Sequence, residues 1–234
     1  MKYEIAGHKQ LHLVSSSKNW QNYWTNKIKP FIGKKTLEIG CGLGTNIKFL
    51  IATNKIKNLT SLEPDKDLFN KVKKKFKSIN KIKIINKKLS KLNVNRKFNC
   101  LIYADVLEHI KNDKKELIQA SKFLKKNGRI IILSPAYNFL YSSFDKNVGH
   151  YRRYNKKMIK NIKPKNLSIE KCYYLDSIGF FLNLINKIFL KRNPKKKDFF
   201  IWNNFIIPLS VIFDFIFAYK FGRSIICIYK KINY

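Results

Sequence analysis

The run LEIGCGLGTN (37–46) is the strongest chemical signal in the chain. Glycines at 40, 42 and 44, directly after an apolar stretch, let the backbone turn sharply and approach a ligand with no Cβ in the way. A helix starting there would offer unpaired N–H groups to a polar or anionic ligand end. Glu63 closes a second apolar stretch 19 residues after Gly44, where a carboxylate can accept from both hydroxyls of a ribose. Further on, Asp105, Glu108 and His109 form an acid-x-x-acid-His set. His150 then leads Tyr151, Arg152, Arg153 and Tyr154, joining an imidazole to two guanidinium forks and two aromatic faces. That combination suits a base beside a phosphate, carboxylate or sugar.

The elements that must position these residues alternate. TLEIG (36–40), LTSLEPD (59–65), KIKIIN (81–86), FNCLIYAD (98–105) and GRIIILSPA (128–136) read as strands. Helical stretches NIKFLIA, DLFNKVKKKFKSI and ELIQASKFLKK fall between them. Such alternation predicts βαβ units and a parallel sheet. Before it, NWQNYWTNKIKPFI reads as a short helix with Trp20, Tyr23, Trp24 and Ile28 on one face. After it, a polar aromatic loop, a helix at 156–162, a strand LSIEKCYYL (167–175) and a last strand at 223–232 are expected. The loop holding His150 follows the fifth strand, on the face where open α/β sheets bind ligands.

The 234 residues carry 49 Lys+Arg against 14 Asp+Glu, a net charge of +35, yet 45% are hydrophobic and 14% aromatic. That content excludes a disordered basic tail and supports a substantial core. The charge invites nucleic acid, anionic lipid or a phosphorylated substrate. Lys outnumbers Arg 43 to 6, though, alongside heavy use of Asn and Ile, which is the mark of AT-rich codons rather than of phosphate readout. Four widely spaced cysteines argue against a zinc site or a disulfide framework and fit a reduced compartment. No secretory h-region precedes the fold. The stretch nearest to a membrane span, 199–221, is interrupted by Asn203, Asn204, Pro208, Asp214 and Lys220. A cytoplasmic protein is expected, with peripheral contact at the inner face of a membrane left open.

In order and spacing, LEIGCGLGTN, SLEPD (61–65), YADVLEHIKND (103–113) and NGRIIILSPA (127–136) resemble class I S-adenosylmethionine-dependent methyltransferases over roughly residues 20–175. Their glycine pattern differs from the Gly-x-Gly-x-x-Gly of dehydrogenases, which disfavours hydride transfer. A closer resemblance rests on NYWTNKIKPFIG, VLEHIKND, LYSSFDKNVGHYRRYNKKMI and FGRSIICIYKK. These are similar to a methyltransferase subfamily found fused to, or encoded beside, polyprenyl-phosphate-type glycosyltransferases. The resemblance implies a Rossmann-like, seven-stranded, mostly parallel sheet with an antiparallel last strand and helices on both faces. It implies S-adenosylmethionine as cofactor, with Gly40, Gly42 and Gly44 near its methionine part and Glu38 ordering that loop. Glu63 would hold the ribose, Asp105 would face the sulfonium, and backbone near Leu89 would meet the adenine. Two positions depart from the family pattern, with Lys88 where an adenine-binding Asp is usual and Asn99 after Phe98.

Methyl transfer needs alignment and desolvation more than acid–base machinery, but a hydroxyl acceptor benefits from a base. His150 and His109 are the candidates, and Tyr151, Arg152, Arg153 and Tyr154 are the expected acceptor contacts. The Asp105, Glu108, His109 set also resembles the divalent-metal site of some RNA ribose and quinone methyltransferases, although no metal is assigned. Residues 1–35 read as a helical lead-in, 36–175 as the cofactor-binding core, 176–222 as an apolar helical insertion or cap, and 223–234 as the final strand of the core sheet. The insertion suits a membrane leaflet, a cap or a dimer contact. The expected activity is methyl transfer to a small-molecule or lipid-linked acceptor. A nucleic-acid methyltransferase is the alternative, weakened because the lysines are scattered rather than striped. A non-catalytic scaffold that kept the fold would have lost the glycines, which are intact.

Overall fold

The computed structural model describes residues 16–93, 95, 97–190 and 192–232. The first 15 residues of the expected lead-in lie outside them. Seven strands form one sheet in the order β3-β2-β1-β4-β5-β7-β6. They are β1 (Lys35–Ile39), β2 (Asn58–Leu62), β3 (Ile82–Ile85), β4 (Phe98–Ala104), β5 (Leu124–Pro135), β6 (Leu167–Leu175) and β7 (Ser224–Lys231). The first five pair in parallel, and β7 runs antiparallel between β5 and β6. The sheet is the one expected. β4 is buried along nearly its whole length, as a central parallel strand covered on both faces should be.

The helices are α1 (Lys18–Ile28), α2 (Thr45–Ala52), α3 (Lys66–Lys75), α4 (Asp113–Lys122), α5 (Ser143–Asn147), α6 (Lys156–Ile162), α7 (Ser177–Leu190) and α8 (Lys196–Ile216). One face of the sheet packs Trp24, Ile28, Ile47, Leu50 and Val72 from α1, α2 and α3, together with Trp202 and Ile207 from α8. The other face packs Leu117 and Ala120 of α4 and Ile159 of α6. Local signals start several helices. Asp65 accepts from Leu68 N at 2.8 Å ahead of α3, and Asn155 from Met158 N at 2.9 Å ahead of α6.

Two expectations change. Helix α4 stops at Lys122, because Phe123 and Leu124 are buried and Phe123 O accepts from Phe98 N at 2.8 Å, drawing 124–126 into β5. The interrupted apolar stretch is one continuous helix, α8, whose 21 residues are long and apolar enough to cross a membrane by length and composition. Its interruptions do not break it, because Asn203 and Asp214 find partners along one buried stripe.

Candidate active site

Chain order reverses between β1 and β4. The path runs β1 to β2 to β3 on one side, then returns to β4 and β5 on the other. Outside the carboxyl ends of such strands a crevice must open. Here it is a cleft of about 790 Å³, lined by Gly40, Gly42, Asn46, Asp105, His109 and His150, and continuing to the insert.

Gly40, Gly42 and Gly44 all have positive φ, at 67°, 54° and 69°. Gly40 faces the cleft, and a Cβ there would stand 2.9 Å from Val106. Gly44 serves packing instead: its Cβ would strike Phe76 at 2.6 Å and Val72 at 3.1 Å, so it brings the start of α2 against α3. Gly44 itself is not part of the cleft lining, although its neighbours Leu43 and Thr45 are.

The acids lie in three settings. Glu38 is buried behind the loop and accepts from Ser61 Oγ at 2.7 Å, while Oε1 makes no hydrogen bond. Burial pushes its carboxyl up to about 7, against the pull of Ser61 and Asn46. Glu63 holds Gly42 N–H at 2.7 Å and Asp65 N–H at 2.9 Å, so it ties the second strand end to the glycine loop. Asp105 ends β4 with φ 54°, opening onto the cleft floor. The protein around it raises its carboxyl to about 6, with His150 and Arg223 pulling the other way. Leu89 is buried in the core beneath the third strand, so only its backbone is available to a ligand.

His150 is held from behind. Its Nδ1 lies 2.9 Å from Asp145 Oδ1, and Arg153 forks the same carboxylate with two bonds of 2.8 Å. Burial alone would raise Asp145, but His150 and Arg153 overcome it and hold the carboxyl well below the usual range. Asp145 also accepts from Ser142 N at 2.9 Å at the start of α5. One acid thus organises the loop and orients the imidazole. The His150 Nε2 stands 4.0 Å from Glu108 Oε1, which has no hydrogen bond of its own. Burial first, then Asp105, raises the Glu108 carboxyl well above the usual range. His109 packs edge-on against His150 at 4.6 Å between centroids, and burial lowers it to about 4. Glu108, His109 and His150 bring one ligand atom each within 4.8 Å of one another, a grouping that Asp105 does not join.

The expected acceptor contacts divide. Tyr154 is fully buried, with its hydroxyl 2.8 Å from Asp113 Oδ2. Arg152 pairs with Asp113 at 2.5 Å and donates to Lys111 O at 2.8 Å. Tyr151 is 55% exposed and lies off the cleft. Tyr154 and Arg152 brace the loop against the residues after β4, and none of the three lines the cleft. Only Arg153 borders the cleft, and Asp145 already occupies its fork. Sequence reasoning missed Asp145 and Arg223. The Ser142-x-x-Asp145 capping pattern was the available signal for the first, whereas Arg223 reaches the cleft only because β7 lies beside β5.

Residues 37–130 match the methyltransferase domain family. Over that stretch the chain is similar to methyltransferase domains. It is an enzyme, a methyltransferase with S-adenosylmethionine as its methyl donor. No curated protein matches it. An S-adenosylmethionine-dependent methyltransferase from Clostridium acetobutylicum is similar in fold, with a TM-score of 0.62 and 17% identity over 96% of this chain and 98% of that one. The N-methyltransferase NodS of Bradyrhizobium japonicum, solved with S-adenosyl-L-homocysteine, gives 0.56 and 13% over 99% and 88%. A protein solved in complex with the Trm112 methyltransferase activator of Haloferax volcanii gives 0.64 and 10% over 97% and 94%. At these identities the methyltransferase shares their fold, and their acceptors remain their own.

Proposed function

We propose that this methyltransferase alkylates a nucleophile on a small-molecule or lipid-linked acceptor bound between the His150 loop and the insert. One observation carries the reading: a single cleft joins Gly40, Gly42 and Asp105 at the switch point to His150 and then to apolar side chains of α7 and α8. The donor set fits the cofactor. Gly40 and Gly42 let the backbone approach, the carboxylate of Glu63 takes ribose hydroxyls, and Asp105 sets a negative charge toward the sulfonium. Glu38, whose Oε1 has no hydrogen-bond partner, faces the loop that holds the amino-acid end, and Leu89 contributes backbone to the adenine side. Bound there, S-adenosylmethionine supplies the electrophilic methyl group.

The chain's own residues do the rest. Asp145 fixes the His150 ring so that Nε2 is the atom available to take a proton from a hydroxyl or ammonium acceptor. His109, lowered to about 4 by the protein packed around it, can accept a hydrogen bond from the same group. Asp145 thus acts as a positioning residue.

The test is to offer methyl-labelled cofactor with a lipid extract, an RNA pool and a small-metabolite pool in separate reactions. Label in the lipid or metabolite fraction is expected, and label confined to RNA overturns the acceptor class. His150→Ala should lower transfer about 100-fold with S-adenosylhomocysteine affinity unchanged, the size expected for removing a general base. Activity abolished by a chelator and restored by a divalent ion would instead assign Glu108, His109 and His150 to a cation.

A further inference from the structure

The insert between β6 and β7 is built inside out. Along α8, Asn203, Ile207, Ser210 and Asp214 fall on one helical stripe, and all four are buried. Asn203 Oδ1 accepts from the N–H groups of Asn19 and Trp20 at 3.0 and 3.2 Å, so it caps α1 from another helix. Asp214 accepts from Tyr23 Oη and from the N–H groups of Asp176 and Ser177, each at 2.7 Å. Ser210 Oγ and Trp202 Nε1 both donate to Asp176 at 2.8 Å, and Arg223 pairs with it at 2.9 Å. The opposite face is apolar and open: Phe215 is 74% exposed, Phe205 60% and Ile212 58%, and Phe189 on α7 is 76% exposed.

We propose that this face lies in the plane of an anionic lipid surface, with α7 and α8 dipping into one leaflet and the cleft opening beside them. Charge complementarity selects the occupant. Residues 177–222 hold seven Lys+Arg and two Asp. Of those acids, Asp214 is turned inward and Asp198 is forked by Arg192 at 2.7 and 3.0 Å. Lys195, Lys196 and Lys197 are exposed at the junction of the two helices, where they can meet acidic headgroups while the phenylalanines enter the acyl boundary. A second copy of the chain fits worse, because a two-fold contact would set the same lysine cluster against itself.

Spanning the bilayer is disfavoured despite the length of α8. It would strip Asn203, Ser210 and Asp214 of their partners and place them in hydrocarbon. The helix is therefore anchored to the sheet by its polar stripe and to lipid by the other side. Leu182, Ile185, Leu190, Ile201 and Ile206 line the cleft where it meets this surface. The inference thus deepens the proposed acceptor reading and rests on it in one respect: the acceptor is a membrane amphiphile whose chain reaches the cleft from the leaflet.

Flotation of the protein with vesicles of phosphatidylcholine, with and without about 30% phosphatidylglycerol, tests the docking. Binding is expected to rise at least about tenfold with the anionic lipid, to fall by a similar factor in Phe189→Ser/Phe205→Ser/Phe215→Ser, and to be released by alkaline carbonate. Lys195→Glu/Lys196→Glu/Lys197→Glu should remove the anionic preference. Wild-type protein that stays unbound overturns the proposal. So does carbonate-resistant insertion, or a dimer in light scattering that the serine variant dissolves. Calorimetric titration with S-adenosylhomocysteine on the same samples separates the two readings. Intact cofactor binding without flotation removes the membrane surface alone, whereas absent cofactor binding removes the proposed reaction.

Discussion

At the cofactor end of the cleft, apolar side chains are inside and polar groups reach the ligand space. In α7 and α8 the order is reversed. Leu37, Leu101 and Ile131 are sealed within the sheet layers, and Gly40, Gly42 and Asp105 face the cleft. In the insert, Asp176, Ser210 and Asp214 are sealed, and Phe189, Phe205 and Phe215 face outward. The difference teaches how the chain uses its few acids. Seven of its 14 carboxylates, Glu38, Glu63, Glu108, Asp113, Asp145, Asp176 and Asp214, are buried polar anchors rather than surface charges. Turning these acids inward leaves the surface more basic still, beside an abundance of lysine.

The comparison breaks first at Asp214. Asp214→Ala leaves the Tyr23 hydroxyl and two N–H groups without an acceptor, so a loss of about 3–5 kcal/mol is expected in denaturant melts. A loss below about 1 kcal/mol would mean that the polar stripe does not hold the insert.

Glu38 gives the next largest effect, through pH. Its folded pKa of about 7 lies above its unfolded value, so the folded state binds the extra proton. Its contribution to stability is complete below about pH 4.5 and declines as pH rises through 7. Glu38→Gln should therefore gain on wild type by on the order of 3 kcal/mol between pH 4 and pH 8. A parallel pH dependence in both proteins would refute the assignment.

Binding experiments sharpen the cofactor side. Glu63→Ala is expected to weaken S-adenosylhomocysteine about 50- to 100-fold by calorimetry, the scale of two charge-assisted hydrogen bonds. Asp105, raised to about 6, is ionised above that pH and neutral below it. S-adenosylmethionine affinity should thus fall several-fold from pH 7.5 to pH 5, and Asp105→Asn should flatten that profile. The smallest effect belongs to Tyr151→Ala. With its side chain off the cleft, both stability and turnover should stay within about 0.5 kcal/mol of wild type, and a larger loss of turnover would return it to the acceptor site.

Periodicity located the strands because central parallel strands must be apolar along their length, and β6 begins and ends at the residues expected. The glycine loop was legible for a similar reason, since a sharp turn at positive φ calls for glycine. The loop 149–154 was legible as important, but its roles were not. Whether Arg152, Arg153 and Tyr154 face a ligand depends on Asp113 and Asp145, and those pairings are set by how β4 and β5 place their following segments.

The sequence by itself determined the strands and the glycine loop, since short-range pattern and spacing specify both, while the make-up of the whole sheet followed from the family resemblance. It also established that residues 176–222 are apolar. Only the tertiary structure decided which way that apolar surface turns. A helix rich in Phe and Ile can bury either side, and the choice was made by partners far away in sequence: Tyr23 and Asn19 on α1, Asp176 after β6 and Arg223 before β7. Buried hydrogen bonds left unmade cost more than exposed phenylalanines, so the polar stripe turned inward and the apolar face was left for another surface to cover.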